Sequence, residues 1–284
     1  MNKAVKKIKE HQSDLLVEED KLKELEVLGG YEGDDRIVSS DEMRKRLEKM
    51  ESLPKFSSKI KNLDTLLGGG FRPGELITIT GITKSGKSTF ARTLCSNFVA
   101  NDINSVYFSY EETERELLEK FPKPYPIFYL PRKLSSASTD WIHNRIGEAK
   151  AKYGTQAVFI DNLDFLLNKE IYKRHGNLAD LIKFVVVDLK NTARYWEVSI
   201  FLMAHTTQEG TRRGIELGDI KGSASIGQTS DFVFVVKRLL EKETKLPGIQ
   251  TEVKIIANRR TGRVGKFRLI FEDNYLKEYE KPNL

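Results

Sequence analysis

The run from residue 81 to residue 88 follows the spacing G-x-x-x-x-G-K-[ST], with Gly81, Gly86, Lys87 and Ser88 at the defined positions. In such a loop, backbone N–H groups face phosphates, the lysine neutralises the outer phosphates and the serine hydroxyl binds Mg²⁺. A β-branched run precedes the loop and an apolar pattern at helical spacing follows it, so the sequence predicts a strand–loop–helix unit that binds a nucleoside triphosphate. The predicted contacts are Gly81, Ile82, Thr83, Lys84, Ser85, Gly86, Lys87, Ser88 and Thr89.

Two further apolar runs end in carboxylates. Asp161 ends one of them, and Glu111 and Glu112 follow the other. Because open α/β sheets bind ligands at the carboxyl ends of their strands, Asp161 is predicted to order the Mg²⁺ shell. Glu111 is predicted to polarise the attacking water. For Glu112 we expect a capping or surface role, and either glutamate could instead cap the helix that begins near Thr113.

A third apolar run ends in His205, whose imidazole could hydrogen-bond the γ-phosphate, although a lone histidine can also be structural. The connection 206–225 that follows is rich in glycine, hydroxyl groups and cations, which can hold a nucleic-acid backbone without reading bases. A solvated loop is the alternative for this connection. The candidate nucleic-acid contacts are Arg212, Arg213, Lys221, Gly222 and Ser223.

Strands alternate with helices from Phe56 onward, which predicts an α/β fold with a mostly parallel sheet covered on both faces. The predicted strands are 76–80, 105–110, 126–130, 157–161 and 198–203, and the predicted helices are 87–100, 113–120, 139–153 and 177–196. After residue 231, strands near 231–238, 251–257, 266–271 and 275–279 are predicted to extend one edge of the sheet in antiparallel fashion.

Residues 1–54 are predicted to form a helical extension ahead of a nucleotide-binding domain at 55–284. The extension contains a Lys- and Glu-rich helix before Gly29 and a second helix over 39–51, where Glu42 completes a capping box. One narrow apolar stripe on the second helix is predicted to dock either on its own domain or on a neighbouring subunit.

Composition narrows the functional classes. The 284 residues carry a net charge of +6 with a pI near 9.1, which favours a polyanionic partner such as nucleic acid. Cys95 is the single cysteine, so an internal disulfide is excluded and a reducing compartment is expected. Neither a membrane span nor an apolar signal core is present in the sequence. We therefore expect a protein that is not secreted and has no membrane role, in a bacterial cytoplasm, a phage-infected cell or an organelle matrix.

Beyond the phosphate loop, the chain resembles the hexameric RecA-type replicative DNA helicases of the DnaB family and their Twinkle-like relatives, over about residues 55–280. The segments that carry the resemblance are 63–76, 108–111, 159–165, 222–228 with Asp231, and 258–262. The resemblance implies a RecA-like P-loop NTPase core, ATP and Mg²⁺ bound between subunits of a homo-oligomeric ring, single-stranded DNA in the pore, and a separate primase or scaffold protein as a partner.

The same resemblance assigns roles to individual residues. It implies that Glu111 is the catalytic carboxylate and that His205 senses the γ-phosphate. It also implies an arginine finger that reaches the neighbouring subunit's γ-phosphate; DnaB-type sequences point to Arg260 and Twinkle-type sequences to Arg259. The expected catalytic set is therefore Lys87, Glu111, Asp161, His205 and one of Arg259 and Arg260.

The sequence thus predicts an ATP-dependent, ring-forming DNA helicase or translocase. One alternative is a RecA- or KaiC-like ATPase that acts in recombination or remodels filaments without unwinding, since segment 110–113 resembles that branch equally. Another is a nucleotide-dependent loader or regulator whose turnover is only a timer. Strand displacement on forked DNA separates the first alternative from a helicase, and stimulation of ATP hydrolysis by polynucleotides counts against the second.

Overall fold

The computed structural model describes residues 21, 23–33, 35–49, 55–167, 177–206, 218, 220, 223–241 and 247–279. The chain separates into two compact units, Met1–Ser52 and Leu53–Leu284. In the first unit, residues 23–29 are helical and helix α1 spans Ser40–Lys49. One of the two hydrogen bonds of the predicted capping box is present: the Glu42 N–H donates to Ser39 Oγ at 3.0 Å, whereas the Glu42 carboxylate accepts from Arg36 at 3.3 Å. No residue of α1 is buried.

A mixed eight-stranded sheet organises the second unit, in the order β2-β3-β4-β1-β5-β6-β7-β8. Strands β1 to β5 pair in parallel, and β5 to β8 pair antiparallel. The predicted fold, a mostly parallel sheet with an antiparallel C-terminal edge, is therefore confirmed. The strands are β1 Leu76–Gly81, β2 Ser105–Ser109, β3 Ala157–Asp161, β4 Ser199–His205, β5 Phe232–Leu240, β6 Pro247–Asn258, β7 Gly265–Glu272 and β8 Tyr275–Glu278.

Helices cover both faces of the parallel strands. The helices of this unit are α2 Lys61–Leu67, α3 Lys87–Val99, α4 Glu114–Glu119, α5 Thr139–Tyr153, α6 Leu163–Leu166, α7 Leu178–Tyr195 and α8 Ser223–Thr229. Successive strand residues point to opposite faces, so Phe201 of β4 joins the core under α3 while its neighbour Leu202 joins the core under α5 and α7. Cys95 lies in the first core, where burial raises the pKa of its thiol and makes it unreactive, as expected for a packing residue.

Two features of this unit differ from the sequence prediction. The run 126–130 is not a strand: only Tyr129 pairs with β2, through a parallel bridge to Val106. Pro126 and Pro131 flank this position, and proline cannot donate to a strand ladder. The short helices α2, α6 and α8 were not predicted, because four to seven residues are too few to show a helical period. Among the described residues, no helix is both long enough and apolar enough to span a membrane.

Candidate functional site

The phosphate loop joins the carboxyl end of β1 to the first turn of α3. Gly86 is the N-cap of this 13-residue helix, with φ at 97°, a conformation that L side chains rarely adopt. At Gly81, an added Cβ would lie 2.3 Å from the Val236 carbonyl oxygen and 2.5 Å from Ser85 Oγ. The loop is thus closely packed against β5 and requires glycine at both ends. Its N–H groups and the N-terminus of α3 together form a setting for phosphate.

Lys87 lies folded into this loop. Its Nζ donates to the carbonyl oxygens of Gly81 and Ile82, at 3.0 Å each, and only 7% of the residue is exposed. Burial lowers the pKa of Lys87, and the nearby carboxylates, first Asp161, act in the opposite direction. The amine is therefore held where a phosphate chain in the loop would meet it, with carboxylates close by.

Asp161 ends β3 and faces the loop, and 3% of it is exposed. Burial raises the pKa of Asp161 to about 6, the hydrogen bond from Ser88 opposes this shift, and the negative charge of Glu111 adds to it. A hydroxyl and a carboxylate suit Mg²⁺, which prefers oxygen ligands and usually retains waters and phosphate oxygens. Ser88 and Asp161 therefore fit a metal that is shared with a phosphate. In the described ranges no cluster of three or more His, Cys, Asp or Glu side chains that could hold a metal ion exists.

A single amide connects Glu111 with His205. Nδ2 of Asn162 donates to Glu111 Oε2 at 2.9 Å and lies 3.3 Å from His205 Nε2. Asn162 is buried, whereas Glu111 is exposed and His205 half-buried. The sheet order explains this meeting, because β3 lies between β2 and β4 and the three residues follow or end these strands. The structure therefore gathers Lys87, Ser88, Glu111, Asp161 and His205 at one edge of the sheet, and adds Asn162, which the sequence prediction did not include.

Glu112 lies near enough to Asp161 to act on its pKa, but its carboxylate is paired with cations. Its carboxylate pairs with Arg92 at 3.4 Å and with Lys120 at 2.7 Å, and 18% of its side chain is exposed. Thr113, not Glu112, is the N-cap of α4 and forms a capping box with Glu116. The capping role considered for Glu111 or Glu112 is therefore wrong. The role of Arg92 was not predicted, since nothing in the spacing of these residues shows that α3 and α4 meet.

The two candidate finger residues lie near the opposite end of the parallel strands, at the start of β1. The Arg259 N–H donates to the Asp231 carbonyl at 2.9 Å, and the Asp231 N–H donates to the Leu76 carbonyl at 2.8 Å. This is the start of β1, whereas the phosphate loop follows its end. A six-residue strand is about 17 Å long, so neither arginine can reach the phosphate loop of its own subunit.

The two arginines differ in their surroundings. The side chain of Arg260 is 11% exposed and donates to the carbonyl oxygens of Leu67 at 2.8 Å and Gly70 at 2.7 Å. Its Nε donates to Glu75 Oε1 at 3.0 Å, and its guanidinium lies 5.0 Å from the ring centre of Phe232. Arg259 is exposed. Arg260 is thus bound to its own chain, and Arg259 is the one that faces outward.

Asn258 shapes the turn that carries both arginines. Its Oδ1 accepts the N–H groups of Arg260 at 3.1 Å and Thr261 at 3.0 Å. Its Nδ2 lies 2.9 Å from the Arg263 carbonyl oxygen. Asn258 therefore has a structural role in the turn.

Most of the predicted nucleic-acid residues lie outside the described part of the chain, namely Arg212, Arg213, Lys221 and Gly222. Ser223 begins helix α8. The two ends of the connection are described: Thr206 and Ile220 form an antiparallel bridge directly after His205. Thr206 and Ile220 of the connection therefore lie together next to His205.

Two models of known protein families match this chain, each over a different part of it. The family model described as "DnaB-like helicase C terminal domain" matches residues 129–280, more than half of the chain. The ATPase model described as "KaiC" matches residues 56–123, which include the phosphate loop and Glu111.

Curated relatives of the chain include proteins named "DNA repair protein RadA". The Haemophilus influenzae protein is 28% identical over 167 residues, which are 58% of this chain and 35% of that protein. The Escherichia coli K12 protein is 27% identical over 191 residues, which are 66% of this chain and 39% of that protein. The chain thus spans between a third and two fifths of the length of these relatives.

Solved structures share the fold. One of them, an isolated ATPase domain, superposes with a TM-score of 0.72 at 19% identity, covering 86% of this chain and all of that one. Another is a DnaB-like replicative helicase, from a structure that also describes its interactions with primase. It superposes with a TM-score of 0.69 at 18% identity, covering 98% of this chain and 78% of that one. The RecA-like fold predicted from the motifs is therefore confirmed.

Proposed function

Since the chain belongs to the DnaB-like helicase C-terminal domain family, as its motifs predicted, we propose that it is an ATP-driven helicase or translocase that forms a ring on single-stranded DNA. The domain type is that of an ATP hydrolase. The observation that carries the proposal is the meeting of the phosphate loop, Asp161, Glu111 and His205 at one edge of the sheet, beside the connection that begins at Thr206.

In this proposal the chain's own residues bind and orient ATP. The loop N–H groups and Lys87, whose Nζ lies at the Gly81 and Ile82 carbonyl oxygens, hold the β- and γ-phosphates. Ser88 and Asp161 hold Mg²⁺. The bound cation supplies positive charge that stabilises the phosphate oxygens during transfer. Glu111, exposed at the same edge, orients the attacking water, and His205 contacts the γ-phosphate.

Arg259 acts as the finger in this proposal, and Arg260 does not. The supporting facts are the exposure of Arg259, the attachment of Arg260 to Glu75 and the distance of both from their own phosphate loop. A finger in trans makes hydrolysis depend on assembly, because its positive charge stabilises the transition state. Arg212, Arg213, Lys221, Gly222 and Ser223 hold the DNA backbone in this proposal, so that loss of the γ-phosphate at His205 changes the grip on the strand. By analogy with the primase-interacting relative of the same fold, a separate primase or scaffold protein is a candidate partner.

Steady-state ATP hydrolysis with and without single-stranded DNA tests the proposal on the wild type and on Glu111→Gln. We expect DNA to stimulate the wild type, and the variant to lose about 100-fold or more in kcat while still binding ATP, since general bases contribute 10²–10⁴-fold. Glu112→Gln is the matched control. Because Glu112 pairs with Arg92 and Lys120, this variant should lose stability and keep the DNA-stimulated rate. Slow turnover that ignores DNA in the wild type contradicts the motor function and favours the regulatory ATPase.

A RecA- or KaiC-like ATPase without unwinding activity is the second candidate. The match of residues 56–123 to the KaiC model and the similarity to RadA proteins favour it specifically. Strand displacement on a forked duplex separates the two functions. Displacement that depends on ATP supports the helicase, whereas DNA-stimulated hydrolysis without displacement supports the second candidate.

A further inference from the structure

Asn162 directs both hydrogens of its side-chain amide at members of the proposed catalytic set. One points to Glu111 Oε2, at 2.9 Å, and the other to His205 Nε2, at 3.3 Å. An amide NH₂ group has two donors, so these contacts use its full capacity. We propose that Asn162 is a positioning residue that holds Glu111 and His205 in one hydrogen-bonded unit, so that the water-orienting carboxylate and the γ-phosphate contact respond to each other. This inference rests on the proposed function and deepens it.

The orientation of the amide follows from a third contact. Oδ1 of Asn162 accepts the Asp164 N–H at 2.9 Å, which makes Asn162 the N-cap of α6. A backbone N–H can only donate, so the side-chain oxygen must face it and the nitrogen must face Glu111 and His205. The imidazole accepts this bond at Nε2 in its neutral form with the proton on Nδ1.

The topology explains why this position can connect the two groups. Glu111 follows β2 and His205 ends β4, while Asn162 follows β3, which lies between them. Asn162 is 2% exposed, so an amide hydrogen that loses its acceptor has little access to water. An unpaired buried donor is unfavourable, and this penalty connects the position of Glu111 to that of His205.

The Asn162→Asp variant keeps the helix cap and removes both amide donors. Aspartate keeps an oxygen for the Asp164 N–H, and it is as good an N-cap as asparagine. We expect kcat for DNA-stimulated hydrolysis to fall about 10- to 100-fold, with KM for ATP within about threefold of wild type. The new carboxylate is buried beside Glu111 and Asp161 and should also lower the melting temperature, so the rates are measured well below it. Asn162→Ser, which also keeps a capping oxygen and adds no charge, should lose kcat in the same sense.

Asn177→Asp is the matched control, because Asn177 caps α7 through Oδ1 and directs its Nδ2 to Asp180 of its own helix. It should keep the wild-type kcat. In a double-mutant cycle, Asn162→Asp should have little further effect once Glu111→Gln is present, since groups that act as a unit are not additive.

The outcomes distinguish this inference from the proposed function. A wild-type kcat in Asn162→Asp overturns the inference alone, as does a loss of kcat that merely follows a loss of stability, or additivity with Glu111→Gln. A wild-type protein without ATPase activity removes the proposed function and the inference with it. A selective loss of kcat that vanishes in the Glu111→Gln background supports the inference.

Discussion

At Asp161, the negative charge that would bind Mg²⁺ also lowers the stability of the folded protein. The carboxylate is buried beside Glu111, and burial raises its pKa to about 6 from the ordinary 3.8. Because the folded state holds this proton more tightly than the unfolded state, the group destabilises the metal-free protein above pH 6. This penalty decreases as the pH falls from 6 towards 4. The Mg²⁺ proposed for the site would remove the conflict by neutralising the charge.

We therefore predict that Asp161→Asn stabilises the metal-free protein. A shift of about two pKa units corresponds to about 3 kcal/mol at pH 7.5, and we expect a gain of up to this size that shrinks towards zero near pH 4. Urea unfolding in the presence of a chelator at both pH values measures it. The same variant should lose ATPase activity. Asp140→Asn, a change at an exposed first-turn position of α5, should give no such gain; a less stable Asp161→Asn protein at pH 7.5 contradicts the prediction.

At the residue scale, the sequence predicted the groups that belong to named motifs and missed those that position them. Lys87, Ser88 and Asp161 were predicted because each follows or ends a buried strand in a fixed order. Asn162 was not predicted as a bridge, because its two partners are 51 and 43 residues away in sequence. The distinction between Arg259 and Arg260 depends on Glu75, which is 185 residues from Arg260. Spacing alone contains no information about such contacts.

At the scale of elements, the unit formed by β1, the loop and α3 depends on the fit of the loop against β5. Gly81→Ala should disrupt this unit, because the added Cβ would lie 2.3 Å from a backbone carbonyl oxygen that cannot move aside easily. We expect at least a tenfold loss of ATP affinity, measured by titration with a fluorescent ATP analogue.

Gly154→Ala provides the comparison for this prediction. Gly154 ends α5 with φ at 62° and has open space around its Cβ position. Its substitution should cost about 1 kcal/mol of stability through backbone strain and leave ATP affinity unchanged. Equal affinities of the two variants would show that the loop tolerates a Cβ at Gly81.

The elements of the core were predicted well because strong periodicity and burial decide them. All four strands predicted after residue 231 and the helices α3, α5 and α7 are present, with ends shifted by few residues. The prediction was wrong for 126–130, where apolar content suggested a strand but Pro126 and Pro131 limit pairing to one bridge. The helices α2, α6 and α8 depend on tertiary packing and caps, which a short sequence window does not reveal.

At the scale of the whole molecule, the phosphate loop and the Arg259 turn lie near opposite ends of strand β1. In a ring or a filament, the interface that joins the finger of one subunit to the loop of the next is head-to-tail. An antiparallel twofold dimer would instead pair each finger with its partner's loop, so a measurement of the oligomeric state distinguishes the two arrangements. This geometry agrees with the proposed ring and does not set the number of subunits.

Mixing two inactive variants tests the proposed trans contact. Lys87→Ala subunits lack a working loop but keep Arg259, whereas Arg259→Ala subunits keep the loop and lack the finger. If the finger acts between subunits, mixtures of the two should recover ATPase activity that each variant lacks alone, up to about a quarter of the wild-type rate for random assembly. Arg260→Ala is the comparison, and it should lose about 3–5 kcal/mol of stability because the buried Glu75 loses its ion-pair partner. Mixtures as inactive as their components contradict a trans finger.

The Arg260 contacts have a mechanical consequence for such an assembly. They fasten the Arg259 turn to Leu67, Gly70 and Glu75, and this segment leads directly into β1 and the phosphate loop. In the proposed ring, the Arg259 turn and the phosphate loop of one subunit would therefore move together as one rigid body. A change at one nucleotide would then reach the next site as a rotation of the whole subunit, with the flexibility at the contacts between subunits. Removing the Arg260 contacts would shift that flexibility into the subunit itself.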